Sequence, residues 1–334
     1  MADVGEDELL AMVFPVLAAA GESRDVTVGP GDDAAVLTVG AGGLVATTDA
    51  VVHGRDWHDE WSTGEDVGAK VAAQNLADVA AMGARPVALL VTLVMAPSTP
   101  LDWVLDLARG LATVAASAAC PVVGGDLSSA PEGVLTVSVT AFGSLDGRRA
   151  VLRSGAQVGD VVAVAGSLGL SGAGLRLLSE GRAEADPEAV AVHRRPSPPL
   201  ALGPVAADAG ATSMIDLSDG LLRDASRVAT ASGVCVDLSS AALAGDVGRL
   251  EPVLGIEPAR ECVLGGGEEH SLLATFPPGA GVPEGFRVIG SVRAGHGVAV
   301  DGIPEQPRGW DHFGGLAASC AQRSGFDAAR GTNR

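Results

Sequence analysis

KVAAQNLADVAAMGARP, residues 70–86, is the segment around which the chain is organised. Ala, Leu and Gln dominate it, Gly83 supplies a stop and Pro86 forbids continuation, so it predicts one helix. At about 3.6 residues per turn, Ala72, Leu76, Val79, Ala80 and Gly83 share a small apolar face suited to close packing. Lys70, Gln74 and Asp78 line another face, with Asn75 beside them. Asp78 is the only acid of the stretch. Taken alone it reads as a solvated residue, because burying an unpaired carboxylate is costly.

On either side of this segment the chain alternates strand and helix. Upstream, residues 7–20 predict an amphipathic helix, and 26–28 and 44–47 predict strands. Downstream come a buried Val- and Leu-rich strand at 86–95, a long helix at 101–119, and strands at 122–123 and 134–142. Periodicity is lost over 143–159, a segment of Gly, Arg and Asp, so the expected division is 1–148 and 149–334. The second part is read as strands at 161–165, 214–216, 234–238, 271–276 and 288–289, with helices at 172–178, 200–209 and 221–232. The expectation is a mixed α/β protein in two parts. No repeat of solenoid period is present.

At 334 residues and 47% hydrophobic, the chain is long enough for two full cores. Its formal net charge of −19 argues against nucleic acid or an anionic membrane as partner. The same charge would repel a phosphate ligand unless metal cations intervened. Cys120, Cys235, Cys262 and Cys320 form no Cys-x-x-Cys pair, which fits a reduced, cytoplasmic setting and no structural zinc. The acidic first residues do not read as a signal peptide, and the longest apolar run, 87–96, is too short to span a bilayer. Tyrosine is absent.

Five acidic clusters stand out as candidates for chemistry: Asp32-Asp33, Asp49, Asp78, Asp126, and Asp216 with Asp219. All except Asp78 are read at strand ends beside Gly, Thr or Ser. Any one such cluster is ordinarily a turn, since Asp and Gly suit turns for conformational reasons. In combination they suit Mg2+, which takes oxygen ligands and bridges carboxylates to substrate phosphates. Thr47 and Thr48 add oxygens, and Gly124-Gly125 allows a close backbone approach to phosphate. Neither a P-loop nor a Rossmann glycine register is present.

The ordered set GDDAAVL (31–37), TTD (47–49), NLADVAAMGARP (75–86), GGD (124–126), RSGAQVGD (153–160), RRPSPP (194–199), IDLSDGL (215–221), GGGEE (265–269) and GWDHF (309–313) resembles the thiamine-monophosphate kinases of the aminoimidazole-ribotide-synthetase-like superfamily. The resemblance runs over nearly the whole chain. It implies an ATP-dependent phosphorylation of thiamine monophosphate to thiamine diphosphate by direct in-line transfer, assisted by several Mg2+ ions. It implies Asp33, Thr47, Thr48, Asp49, Asp78, Asp126, Asp216 and Asp219 as metal ligands, so that Asp78 faces inward after all. Gly125, Asp126, Arg153 and Ser218 match ATP contacts. Glu268 and Trp310 match contacts to the thiamine part. The implied assembly is a homodimer joined through the N-terminal sheet, with the nucleotide between the two parts of each chain.

Three departures concern the acceptor end. A position where the family usually has His is Asp56, with His53 and His58 nearby. A Thr-Thr-Arg-Gly segment after GGD is replaced by Leu127-Ser128-Ser129-Ala130. A Glu-Asp-Tyr becomes Glu268-Glu269-His270. A related selenophosphate synthetase would need a reactive cysteine near the glycine-rich N-terminal segment, and none of the four precedes Cys120.

Overall fold

The structure, a computed structural model, describes residues 6–29, 34–40 and 43–310. Asp32, Asp33, His312, Phe313, Cys320 and the chain beyond Trp310 lie outside the described residues.

In the N-terminal part the elements are α1 (Glu6–Leu17), β1 (Val26–Val28), β2 (Val36–Leu37), β3 (Leu44–Val52), α2 (Gly64–Ala81), β4 (Arg85–Met95), α3 (Leu101–Ser117), β5 (Val122–Ser129) and β6 (Leu135–Ser144). Among the described residues, four strands form a sheet in the order β3-β6-β4-β5. Only β4 and β5 run parallel, joined by α3 as the crossover a parallel pair requires. Helices α2 and α3 cover one face of this sheet. The β1–β2 hairpin covers part of the other, packing Val26 and Leu37 near Ala88, Leu90, Val123 and Phe142.

Helix α2 is the organising element, and it starts before residue 70. Thr63 caps it: the Thr63 hydroxyl accepts from the Asp66 N–H at 3.2 Å, and Asp66 accepts from the Thr63 N–H at 2.9 Å. It ends at Ala81, where Gly83 adopts a left-handed φ of 73°. Ala72, Leu76, Val79 and Ala80 are fully buried. Close approach of α2 and α3 depends on glycine, since a Cβ on Gly68 would stand 2.1 Å from the Leu107 carbonyl oxygen.

The C-terminal part contains β7 (Val161–Ala165), α4 (Leu170–Ser179), α5 (Pro187–Arg194), α6 (Leu202–Asp208), β8 (Ser213–Asp216), α7 (Leu221–Ser232), β9 (Cys235–Leu238), α8 (Ser240–Leu254), α9 (Ile256–Gly265), β10 (Leu272–Phe276), β11 (Arg287–Arg293), β12 (Gly297–Val300) and β13 (Ile303–Glu305). Among the described residues, seven strands form a sheet in the order β13-β12-β9-β11-β7-β10-β8, antiparallel except for β9 with β12. Its apolar core joins this sheet to α4, α7, α8 and α9. A further cluster, built from Ala80, Ala81, Ala206, Met214 and Leu272, joins the end of α2 to α6 and the C-terminal sheet. A Cβ on Gly203 would stand 2.1 Å from the Ala80 carbonyl oxygen, so α6 lies directly on α2. The two parts are thus packed through α2. No described helix is long and apolar enough to cross a membrane.

Candidate active site

The face of α2 turned away from α3 and toward the C-terminal part carries the site. Thr47, on the α2 side of β3, donates its hydroxyl hydrogen to Asp78 Oδ2 at 2.7 Å. One residue pair along, the Asp49 N–H donates to Asn75 Oδ1 at 3.0 Å, and the fully buried Asn75 donates to the Val71 carbonyl at 2.8 Å. Asn75 therefore fixes the register between β3 and α2.

Asp216 ends β8, deeply buried, and approaches Asp78 from the C-terminal part. Burial pushes the Asp78 carboxyl up to about 7, and the negative charges of Asp216 and Asp49 add to the effect. The Thr47 hydrogen bond and nearby His270 oppose it without cancelling it. His270 Nδ1 lies 3.0 Å from Asp216 Oδ2. Burial alone would depress the His270 pKa, but the Asp216 hydrogen bond and the surrounding carboxylates raise it overall.

Asp219, in the turn between β8 and α7, pairs with Arg227 and lies 3.6 Å from Arg223 Nε. Its backbone N–H donates to Asp224 Oδ2 at 3.0 Å, so the buried Asp224 shapes this turn. The Asp219 carbonyl accepts the Trp310 N–H at 3.0 Å. Ser218 offers its carbonyl to the Glu268 N–H at 2.8 Å. The 216–219 turn thus holds both Glu268 and Trp310 in place.

Glu268 has a left-handed φ of 63°. Its Oε1 is 3.1 Å from Lys70 Nζ, and its Oε2 is 3.4 Å from His193 Nδ1. Burial would raise the Glu268 pKa, but the Lys70 charge beside it brings it below the usual carboxylate range. Glu269 points the other way and accepts the N–H groups of Gly169 (2.6 Å), Leu170 (2.6 Å) and Ser171 (3.2 Å). It caps α4 from across the chain, against the positive end of that helix.

Asp56 lies in the turn after β3 and accepts the Val52 N–H at 2.7 Å. Neighbouring Arg55 places its guanidinium carbon 5.6 Å from the Trp310 ring centroid. Asp56, Trp57, Ser62, Asp66, Lys70 and Arg194 line a tight crevice between the two parts, too narrow to enclose a water molecule. Trp57 Nε1 and Arg194 Nε are buried there without hydrogen-bond partners among the described residues.

Some expected residues are not brought together. Asp49 and Asp126 do not end their strands. Both lie inside them, because β3 pairs with β6 along its whole length and β5 follows β4 to Ser129. Thr48 points away from α2, bonding to the Val139 carbonyl at 3.0 Å and receiving the Thr140 hydroxyl at 3.1 Å. The register Ala50↔Ser138↔Thr92↔Asp126 puts Asp126 on that same outer face. Strands β6 and β4 stand between β3 and β5, a separation of about 14 Å at the usual strand spacing. Asp126 therefore does not join Asp49, Asp78 and Asp216 within one chain. Gly125 is pressed onto β4, where a Cβ would stand 1.9 Å from the Val91 carbonyl oxygen. Arg153 lies in a short turn before β7 with its side chain exposed.

Among the described residues, no three His, Cys, Asp or Glu side chains form a ready metal cage. The donor chemistry nevertheless fits a hard divalent cation. Asp49, Asp78 and Asp216 bring together oxygen ligands, and the Thr47 hydrogen bond and His270 offset their repulsion at Asp78 without cancelling it. Asp33 lies outside the described residues. Sequence reasoning misses Lys70, Asn75 and Glu269; His193, read with Arg194 and Arg195 as a phosphate contact or a solvated basic patch, is buried. The spacing of Lys70 and Asp78 on one helical stripe was the available signal for Lys70.

The description "AIR synthase related protein, N-terminal domain" matches residues 31–145, and "AIR synthase related protein, C-terminal domain" matches 157–302. The chain is 46% identical over 294 residues to thiamine-monophosphate kinase of Mycobacterium tuberculosis, covering 86% of each chain. The crystal structure of thiamine-monophosphate kinase from Stenotrophomonas maltophilia K279a is similar at a TM-score of 0.78 and 32% identity, over 90% of this chain and 98% of that one. AaThiL complexed with AMPPCP and TMP is similar at a TM-score of 0.75 and 31% identity, over 94% and 98%. With both domain descriptions matched and close relatives aligned over most of its length, the chain belongs to the thiamine-monophosphate kinase family.

Proposed function

We propose that this protein transfers the γ-phosphoryl group of ATP to the phosphate of thiamine monophosphate, giving ADP and thiamine diphosphate. The observation that carries the reading is the meeting of Asp49 and Asp78 with Asp216, from opposite parts of the chain, beside Glu268 and Trp310.

The acceptor is a phosphate monoester with a second pKa near 6, so at neutral pH it is mostly a dianion. It needs no general base, and none is assigned. The obstacle is repulsion between the acceptor and the triphosphate. We assign Asp33, Thr47, Thr48, Asp49, Asp78, Asp126, Asp216 and Asp219 as the Mg2+-holding set. When bound, Mg2+ supplies the positive charge that neutralises and aligns the two phosphates. Gly125, Asp126, Arg153 and Ser218 are assigned to ATP. Arg153, exposed and without an ion pair among the described residues, is free to meet its phosphates. Asp56, Glu268 and Trp310 are assigned to the thiamine part, where the indole offers a stacking surface and Glu268 an anion. Transfer is direct, with no phosphorylated enzyme.

A homodimer through the outer face of the N-terminal sheet accounts for the placement of Asp126 and Thr48. Both point out of that face, away from α2, and a second copy on it would bring Asp126 to the other chain's site. The scattered cysteines and acidic surface suit the cytoplasm.

The deciding assay mixes the protein with Mg2+, ATP and thiamine monophosphate and follows ADP and thiamine diphosphate. Equal formation of both supports the reading. No thiamine diphosphate, with turnover on another phosphate acceptor, overturns it. Recovery of a ³²P-labelled protein intermediate from [γ-³²P]ATP would refute direct transfer.

A further inference from the structure

We infer that Lys70 is a positioning residue for acceptor recognition: its ammonium, supplied by α2, fixes the carboxylate of Glu268 across the boundary between the two parts. The inference rests on the assignment of Glu268 to the thiamine part.

The pair is asymmetric. The Lys70 side chain is 7% exposed, whereas that of Glu268 is 36% exposed. A pair serving only to cement the interface would sink both charges. Here the cation is buried while part of the Glu268 side chain stays exposed. Lys70 Nζ takes Oε1 at 3.1 Å, and His193 stands beside Oε2 at 3.4 Å. His193 is itself buried and held in place by the Ser171 hydroxyl, 3.2 Å from its Nδ1. Burial and the adjacent Lys70 push the His193 pKa down to about 3, so His193 carries no charge at neutral pH. Lys70 is then the cation in direct contact with Glu268.

The backbone supports the same reading. A glutamate at φ 63° sits in a sparsely populated region, and such a conformation persists only where the surroundings determine it. The Glu268 N–H bond to Ser218 and the two side-chain neighbours do so. Lys70 and Asp78 lie eight residues apart on one stripe of α2, about 12 Å along its axis. One rigid helix therefore sets the distance between the carboxylates at the phosphate end and the carboxylate at the recognition end. An acceptor with a phosphate at one end and a cationic ring system at the other is measured against that span.

The test is steady-state kinetics on K70M, K70R, E268Q and K70M/E268Q, varying thiamine monophosphate and ATP separately. K70M should raise KM for thiamine monophosphate at least tenfold while KM for ATP stays within about twofold, the signature of lost acceptor binding. K70R, which keeps the charge, should recover most of the loss. The double variant should be no worse than the worse single one, because the two residues act as a unit. If E268Q raises KM for thiamine monophosphate and K70M does not, or if K70M changes both KM values alike, the positioning role is refuted. If E268Q leaves KM for thiamine monophosphate unchanged, the assignment of Glu268 fails instead. Should K70M not fold, K70M/E268Q is compared with E268Q, since it leaves no unpaired charge. Equal KM supports the inference, and a further tenfold rise overturns it.

Discussion

Replacing Asp78 with Asn tests the electrostatic core of the site without reference to turnover. The Asp78 carboxyl sits at about 7 in the folded chain against an ordinary value of 3.8. A folded pKa above the unfolded one means that the native state holds a proton the unfolded state has released. The resulting penalty is absent below about pH 4, grows between pH 4 and 7, and is complete above pH 7. At about 1.4 kcal/mol per pH unit it reaches at most about 4 kcal/mol, and about 2–4 kcal/mol after water access to the partly buried site is allowed for. Asn keeps the oxygen that accepts the Thr47 hydroxyl but carries no charge. In EDTA, D78N should therefore be more stable than the parent at pH 8 by about 2–4 kcal/mol, with the difference closing toward pH 4. Mg2+ should stabilise the parent at pH 8 and leave D78N nearly unmoved, because the parent's native state alone gains a ligand. Urea unfolding followed by tryptophan fluorescence, at both pH values with EDTA or Mg2+, measures each term. A D78N protein less stable at every pH, or a parent indifferent to Mg2+, would refute the reasoning. D78N should also lose transfer activity.

Other expectations follow from single contacts. E269A removes the acceptor of three N–H groups at the start of α4 and should cost about 2–4 kcal/mol of unfolding free energy in urea, with E269Q intermediate. G68A sets a Cβ 2.1 Å from the Leu107 carbonyl oxygen, so α2 and α3 must separate, and calorimetry should find a loss of about 2–3 kcal/mol or more. R153A changes an exposed side chain and should raise KM for ATP about tenfold without moving the melting temperature. If Asp126 serves the other copy's site, mixing inactive D126N with inactive D78N and letting subunits exchange should restore about a quarter of parental activity, since one site of each mixed dimer is intact. No recovery would place Asp126 outside the shared site.

The organising helix was legible because its information is local: alanine-rich composition, a glycine stop and a proline. Even its earlier start was written locally, in the Thr63–Asp66 capping box. The extents of β3 and β5 were not local. Ladder pairing with β6 and β4 carries both strands past the Thr and Gly residues that suggested their ends. Helices α8 and α9 escaped notice because Gly245, Gly248, Pro252 and Gly255 interrupt the apolar pattern, while tertiary packing of Leu243, Leu250 and Cys262 holds them. The acids were found as a set from motif order. Which of them face one another depends on strand order, and the order β3-β6-β4-β5 has no local signature.

That dependence explains why the site is built on α2. Gathering like charges opposes folding, so the groups must be carried by elements that other contacts already hold. Asn75 ties α2 to β3, Gly68 and Gly110 seat it on α3, and Ala80 meets Gly203 of α6. Each contact is made by a residue adjacent to, but distinct from, Lys70 and Asp78. The charged stripe is thereby relieved of any packing duty and can remain electrostatically unsatisfied at one end and paired at the other. At the Asp78 end the deficit is one of positive charge, which suits a cation arriving with its nucleotide. At the Lys70 end the balance is already struck, which suits a carboxylate that must keep its direction while the acceptor comes and goes. A single helix with an unbalanced end and a balanced end is a physical reason for the two halves of the reaction, charge neutralisation and acceptor choice, to share one mount.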